Sequence, residues 1–352
     1  MNRRDLLQSA LLGAAVAANL PGCGRSPSTA TMDIAPPPTA RNGNMPLRSF
    51  GNTGLQVSEV GFGSWGIGGQ SYGAVERQQA LGALAKADEL GCNFVDTAAV
   101  YGASEDVLGE FLRNRRSRWI VATKFSGQPE GMIATLEAQL RHLQTDVIDF
   151  YQLHWMPKGK DVVLFEQLAA LKKAGKIRFA GVSLYSAADI DEALANPVLD
   201  GFQVAFNLLE PDPFLDCHDK IRQHGKAVII RSALKEGFLT GKFHRDATFP
   251  DPNDQRHALT REQIERLVDQ VERFRFLEKD AGSMVAAAAR YPLSFPEVST
   301  VILGTKSAAQ AESNFGPVPG GRLSIDSLRK IAALQDELGL RKRRSFWRRW
   351  LG

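Results

Sequence analysis

Residues 93–102 read Asn93-Phe94-Val95-Asp96-Thr97-Ala98-Ala99-Val100-Tyr101-Gly102, and the reading of this run decides the fold. Phe94 and Val95 supply the apolar bulk of a short buried strand, and Asp96 stands where that strand should end. Tyr101 and Gly102 follow in a loop, and Ala103-Ser104-Glu105 opens a helix. In a barrel of parallel strands, chemistry gathers at the carboxyl ends of the strands and in the loops after them. Asp96 and Tyr101 would lie together there. A carboxylate shortly before a tyrosine is a weak signal alone. It gains force from two more strand-like runs, 119–123 followed by Lys124 and 150–153 followed by His154. Three successive strands each end in a group able to hold or move a proton.

Outward from this run the pattern repeats. Strands are expected at 60–65, 119–123, 147–153, 179–184, 201–206, 227–231 and 298–303. Helices are expected at 76–90, 104–112, 132–143, 163–174, 187–195, 261–276 and 284–290, with one opening at Ser307 and an amphipathic helix at 323–338. The segment 76–90 shows why: Ala80, Leu81, Leu84, Ala87 and Leu90 make one apolar stripe at helical spacing, and Gly91 stops it. Repeated strand-then-helix order means parallel strands with right-handed crossovers. Eight strands in that order indicate an α/β fold of the closed (β/α)8 kind rather than an open sheet. Ahead of it, two short apolar runs flank Gly51-Asn52-Thr53-Gly54, the pattern of an N-terminal β-hairpin.

With 352 residues and 43% apolar content, the chain can bury one barrel of about 250 residues plus extensions. Its net charge is +4, and removing Arg341, Lys342, Arg343, Arg344, Arg348 and Arg349 turns that to −2. The body is therefore nearly neutral, which argues against a nucleic-acid-binding domain with its basic charge spread over the folded surface. The cysteines Cys23, Cys92 and Cys217 form no CxxC pair, so no metal or redox centre is expected. Cys92 and Cys217 read as packing residues.

Four runs resemble the aldo-keto reductases in order and spacing: VGFGSWGIGG at 60–69, NFVDTAAVYGASEDVLG at 93–109, IVATKF at 120–125 and IDFYQLHW at 148–155. The resemblance covers roughly 47–338. It implies a (β/α)8 TIM barrel that reduces carbonyls with NADPH. Such a reaction needs a hydride to carbon, which no side chain supplies, and a proton to oxygen. Tyr101 is expected to give the proton. A free tyrosine has a pKa of roughly 10, and a neighbouring ammonium, Lys124, would lower it. Asp96 would hold Lys124 by a paired charge, and His154 would orient the carbonyl. Singly, Asp96 reads as a turn cap, Tyr101 as loop packing, Lys124 as a surface charge and His154 as a core residue. Together, in family order, they read as a catalytic set.

The cofactor elements follow from the same resemblance. Gly63, Ser64 and Trp65 end the first strand and are expected against the cofactor. Ser183 and Gln203 match positions that hold the nicotinamide carboxamide, although Leu184 stands where most members have asparagine. Arg231 matches a position that is aromatic in many members and would stack on the nicotinamide through its planar guanidinium. Ser232 and Leu234 would offer backbone amides to the pyrophosphate. Gly304, Thr305 and Lys306 precede a helix start, a ready anion site, and match the segment that grips the adenosine 2′-phosphate. Lys306 thus favours NADP(H) over NAD. Gln310 and Asn314 match positions near the adenine, with Ser313 in place of the more usual acidic residue. The substrate pocket would be lined by Trp65, Tyr72, Phe125 and Trp155, walls that suit an apolar or ring-bearing small-molecule carbonyl. The segment 244–257 would act as a lid.

The ends carry separate signals. Residues 1–23 read as an export signal: Arg3-Arg4 before Asp5-Leu6-Leu7-Gln8 resembles a twin-arginine motif, and an apolar run follows at 10–20. Leu20-Pro21-Gly22-Cys23 resembles a lipobox, with lipidation of Cys23 left open. This points to the periplasm or cell envelope; a start at Met45 would instead leave a cytoplasmic enzyme. Residues 24–45 form a linker around Pro36-Pro37-Pro38, 46–338 the barrel, and 339–352 a basic tail with Phe346, Trp347 and Trp350. That tail suits an anionic membrane surface or open solvent equally. Oligomeric state is not legible. The competing function is a non-catalytic nucleotide-binding barrel acting as a sensor or partner subunit.

Overall fold

The computed structural model describes residues 35, 38, 40–69 and 72–341. The export signal with Cys23 and residues 342–352 of the basic tail lie outside the described residues. A small antiparallel sheet comes first: β1 (Arg41–Asn42), β2 (Met45–Ser49) and β3 (Gln56–Ser58). Its β2–β3 pair is the expected hairpin, with Leu47 opposite Ser58. β1, at the end of the segment read as linker, adds a third strand by pairing Asn42 with Met45.

Eight parallel strands then close a barrel: β4 (Val60–Gly63), β5 (Phe94–Asp96), β6 (Ile120–Phe125), β7 (Ile148–Leu153), β8 (Ile177–Leu184), β9 (Gly201–Ala205), β10 (Ala227–Arg231) and β11 (Thr300–Gly304). They neighbour one another in chain order, and β11 pairs with β4 to complete the ring. Helices cover the outside: α1 (Arg77–Glu89), α2 (Ser104–Leu112), α3 (Met132–His142), α4 (Val163–Lys173), α5 (Ala187–Ala195), α6 (Phe214–His224), α7 (Arg261–Arg273), α8 (Glu278–Ala281), α9 (Met284–Leu293), α10 (Ala308–Phe315) and α11 (Ile325–Glu337). The fold is thus the (β/α)8 barrel with an N-terminal hairpin. α6 and the short α8 are the two α-helices among the described residues that the sequence reading does not expect.

The strand period of two sorts side chains between two cores. Phe94, Ala122, Phe150 and Ile229 point into the barrel, where Phe50 and Val57 of the hairpin segment close it from below. The Phe50 ring sits 5.0 Å from Phe150 and 5.6 Å from Phe94, centroid to centroid. Two residues further along the same strands come Asp96, Lys124, Gln152 and Arg231. The barrel interior therefore changes from apolar to polar toward the carboxyl ends. The intervening residues, such as Val95, Val121, Phe125 and Leu153, join the larger core between barrel and helices.

Candidate active site

Asp96, Lys124 and Tyr101 meet as the sequence requires. Lys124 is fully buried, and its Nζ donates to Asp96 Oδ2 at 2.6 Å, to the Thr97 carbonyl at 2.8 Å and to Tyr101 Oη at 3.3 Å. Asp96 Oδ1 accepts from Gln152 Nε2 at 3.1 Å and from Gln203 Nε2 at 2.9 Å. Gln203, matched by resemblance to a carboxamide ligand, thus also steadies the carboxylate. Gln152 is a site residue that sequence reasoning missed. Its signal was present: it lies two residues before His154 on one strand, so the two share a face.

Burial pulls the Lys124 ammonium down, but Asp96 and the phenol outweigh it, and its pKa lies above the ordinary lysine value. For Tyr101 the balance runs the other way. Burial raises the phenol pKa, Lys124 lowers it, and the net result lies above 10. This corrects the expectation of a lowered tyrosine: desolvating the half-buried phenolate costs more than one shared ammonium returns. His154 is held down at about 4, first by burial and then by Lys124. Its imidazole is neutral at pH 7. His154 Nδ1 shares a hydrogen bond of 2.7 Å with Ser126 Oγ, and its ring meets Tyr101 edge-on with centroids 5.9 Å apart.

A second layer braces this set. Gln139 of α3 donates to Glu105 Oε1 at 2.9 Å and to the Lys124 carbonyl at 3.2 Å, and accepts from Tyr151 Oη at 2.8 Å. Thr123 Oγ1 donates to the same Glu105 oxygen at 2.6 Å. Helices α2 and α3 are thereby tied to the backbone that carries Lys124.

A cavity of about 810 Å³ opens above Asp96, Tyr101 and His154 and runs to Lys306, Gln310 and Asn314 after β11. Gly63, Ser64, Trp65, Tyr72, Gln203, Arg231, Ser232, Leu234 and Gly304 line it as the sequence places them. Phe125 and Trp155 do not. Phe125 follows the inward-pointing Lys124, so it points outward and is fully buried. Its ring lies 6.3 Å from that of Trp155, which packs against the same outer core. Thr305 is also buried away from the cavity, with Oγ1 donating to the Leu303 carbonyl at 3.1 Å. Segment 244–257 is fastened across the opening: Asp254 bridges to Tyr72, and Gln255 Nε2 donates to Tyr72 Oη at 2.6 Å. Arg256, which sequence reasoning left unassigned, lies over the rings of Tyr72, Phe243 and Phe249.

Several features fit a nicotinamide dinucleotide. Nothing stands within 4 Å of a Cβ position at Gly304, so that strand end is open, whereas Gly63 packs against the β11 backbone, its Cβ position 3.3 Å from the Gly304 nitrogen. Ser183 Oγ is buried with no hydrogen-bond partner within the chain. Ser232, Lys235 and Glu236 hold left-handed backbone, at φ +58°, +44° and +49°, on the cavity wall. Such strain in non-glycine residues concentrates at ligand clamps. Lys306, Lys242 and Arg256 bring positive charge to one stretch of the cavity. Burial and then Arg256 lower the Lys306 pKa, against the pull of Asp254 and Asp251. Within the chain, Lys306 Nζ donates to the Tyr72 carbonyl at 2.7 Å, Gln310 Oε1 accepts from the Lys306 amide at 2.8 Å, and Asn314 donates to Thr305 Oγ1 at 3.0 Å.

A closed parallel barrel with an ionisable cluster at its strand carboxyl ends and a long anion-tolerant cavity is the frame of a barrel enzyme. The model of the Aldo/keto reductase family matches residues 59–336, and the chain belongs to that family. Aldo-keto reductase YhdN of Bacillus subtilis is 28% identical over 311 residues, covering 82% of this chain and 92% of that protein. Aldo-keto reductase yakc [NADP(+)] of Schizosaccharomyces pombe is 29% identical over 300 residues, covering 78% and 86%. The structure of glycerol dehydrogenase AKR11B4 from Gluconobacter oxydans superposes with a TM-score of 0.73 at 27% identity, covering 85% of this chain and 97% of that one. Family members are oxidoreductases that use nicotinamide cofactors on small-molecule carbonyl compounds.

Proposed function

We propose that this protein is an NADP-dependent oxidoreductase that reduces an aldehyde or ketone to an alcohol, with Tyr101 as proton donor. The observation that carries the reading is the line from Asp96 through Lys124 to Tyr101, buried at one wall of the cavity and facing His154. A bound nicotinamide would supply the hydride. Tyr101 Oη gives its proton to the carbonyl oxygen, and the phenolate left behind lies 3.3 Å from the Lys124 ammonium. Asp96, steadied by Gln152 and Gln203, keeps that ammonium in place. Neutral His154, set by Ser126, hydrogen-bonds the substrate oxygen and fixes the angle at which it meets Tyr101. By the family resemblance Ser183 would meet the carboxamide, Ser232 and Leu234 the pyrophosphate, and Lys306 with Gln310 and Asn314 the adenosine end; all but Ser183 line the cavity. The cationic stretch around Lys306, and the NADP(+) in the name of the fission-yeast relative, favour NADPH over NADH.

Tyr101→Phe tests the reading. Reductase activity on a carbonyl panel should fall by about 10²-fold or more, while a fluorescence titration shows NADPH binding kept. A wild-type chain that binds NADPH but turns over no carbonyl would instead favour the sensor reading. Equal affinity for NADPH and NADH would remove Lys306 from the 2′-phosphate.

A further inference from the structure

Arg231 ends β10 beside the reacting end of the cavity, and its guanidinium makes no direct ion pair among the described residues. Its side chain crosses the end of β9, where Arg231 pairs in register with Ala205, and reaches β8. There Nη2 donates to the Leu184 carbonyl at 3.2 Å, and the guanidinium lies over the Tyr185 ring, 4.6 Å from its centroid. Its Nε is buried with no hydrogen-bond partner. Among the described residues no carboxylate lies within ion-pair distance of it. Glu210 and Glu236 feel its charge at longer range, but both are ion-paired with Lys235, at 2.7 Å and 3.4 Å. The other charges at this end are already matched, since Lys124 is paired with Asp96 and His154 is neutral. Arg231 acts on His154 across the cavity, being among the charges that depress its pKa. A cation therefore faces the space where the carbonyl must sit.

The rest of that space is apolar. Three of the large apolar side chains most exposed among the described residues, Trp65, Val100 and Tyr185, lie on this one cavity. Such walls bury a hydrocarbon or ring, and a planar guanidinium fixed at two points is built to meet a carboxylate with two parallel hydrogen bonds.

On the reductase reading, on which this rests, we propose that Arg231 selects substrates: the site takes a carbonyl compound with an apolar or aromatic body and a carboxylate. The carboxylate meets the Arg231 guanidinium while the carbonyl oxygen meets Tyr101 and His154. Arg231 is then a specificity-determining residue rather than a stacking platform for the nicotinamide.

The test compares 4-carboxybenzaldehyde with its uncharged methyl ester, methyl 4-formylbenzoate, using the full chain with NADPH. The readout is the acid-to-ester ratio of kcat/KM, in which any general loss of activity cancels. Wild type should prefer the acid by about tenfold or more, with the difference carried in KM; a charged hydrogen bond of this kind is commonly worth that factor. Arg231→Met should bring the ratio to about one. Arg231→Lys should leave it intermediate, since the charge stays but the fork is lost. NADPH affinity, read by fluorescence, should not follow the ratio. An equal preference in wild type overturns the inference. So does an Arg231→Met enzyme that keeps the acid preference while losing NADPH affinity, because the residue would then serve the cofactor. Reduction of the ester but not the acid sinks this inference alone, whereas reduction of neither sinks the reductase reading beneath it.

Discussion

At the residue scale, two protonation states set what the site can do. Tyr101 holds its proton more tightly than a free phenol because burial outweighs the help from Lys124. His154 is uncharged from about pH 5 upward, because its pKa is pulled to about 4. Neither group titrates near neutrality. For carbonyl reduction this predicts a kcat/KM that is flat between about pH 6 and 9, falling on the alkaline side only above the usual tyrosine range. A pH–rate profile from pH 4 to 11 checks this, and a bell centred near 7 would contradict it. The same shift makes His154 a small acid liability. The unfolded chain takes up a proton near pH 6.5 and the folded one near 4, so stability rises with pH across that window. His154→Gln, which does not titrate, should flatten the urea-unfolding stability between pH 4 and 6.5 relative to wild type.

At the element scale, α1 shows how one strand–helix unit is written into the sequence and where the writing fails. Its apolar stripe and the stop at Gly91 are both legible, and Gly91 adopts φ +88° with its Cβ position 2.1 Å from the Asn42 carbonyl oxygen. Gly91→Ala must therefore strain the backbone and push β1 away, for a loss of about 2 kcal/mol or more. Gly82, inside the same helix with nothing within 4 Å of its Cβ position, should gain stability on Gly82→Ala, by up to ~1 kcal/mol. Urea melts of the two variants check both signs at once. α6 carries an apolar stripe at helical spacing, Phe214, Leu215, Cys217 and Ile221, but Pro211 and Pro213 before it and the charged residues between mask that stripe. The four candidate catalytic residues were legible because each lies at or just after a strand's carboxyl end, the one place where a polar group needs no burial pattern to stand out. Gln152, Gln139 and Glu105 were not. β7 is buried at every position, which erases the alternation that would show its inward face. Gln139 and Glu105 act from helices, and only the packed barrel brings them to the backbone of Lys124. The same loss of alternation sent Phe125 to the wrong side, since sequence places it beside Lys124 and geometry places it behind.

At the scale of the whole molecule, the site needs a barrel that is closed at the bottom, and one buried ion cluster does much of that closing. Glu59, fully buried at the entry to β4, accepts from Arg48 of the hairpin at 2.8 Å, from Arg322 ahead of α11, and from the Gly320 amide at 3.0 Å. Arg48 in turn donates to the carbonyls of Phe295 and Val298, at 3.2 and 2.7 Å. One carboxylate thus joins the hairpin and the first barrel strand to the C-terminal segment, more than 250 residues further along the chain. Burial alone would raise the Glu59 pKa, but Arg48 and Arg322 outweigh it and hold it below the ordinary glutamate value. The sign follows from linkage. A depressed carboxylate contributes stability at every pH above its unfolded value, and that contribution is lost as pH falls through the folded value. Glu59→Ala leaves two guanidinium groups buried around an empty position, and removing one partner of a buried pair costs about 3–5 kcal/mol. The variant should therefore melt well below wild type at pH 7. The gap should narrow as acid protonates Glu59 in the wild type, with melting curves from pH 7 to below 4 as the measurement. A gap that stays constant down to the lowest pH would mean that packing of the glutamate stem, not its charge, holds the floor of the barrel.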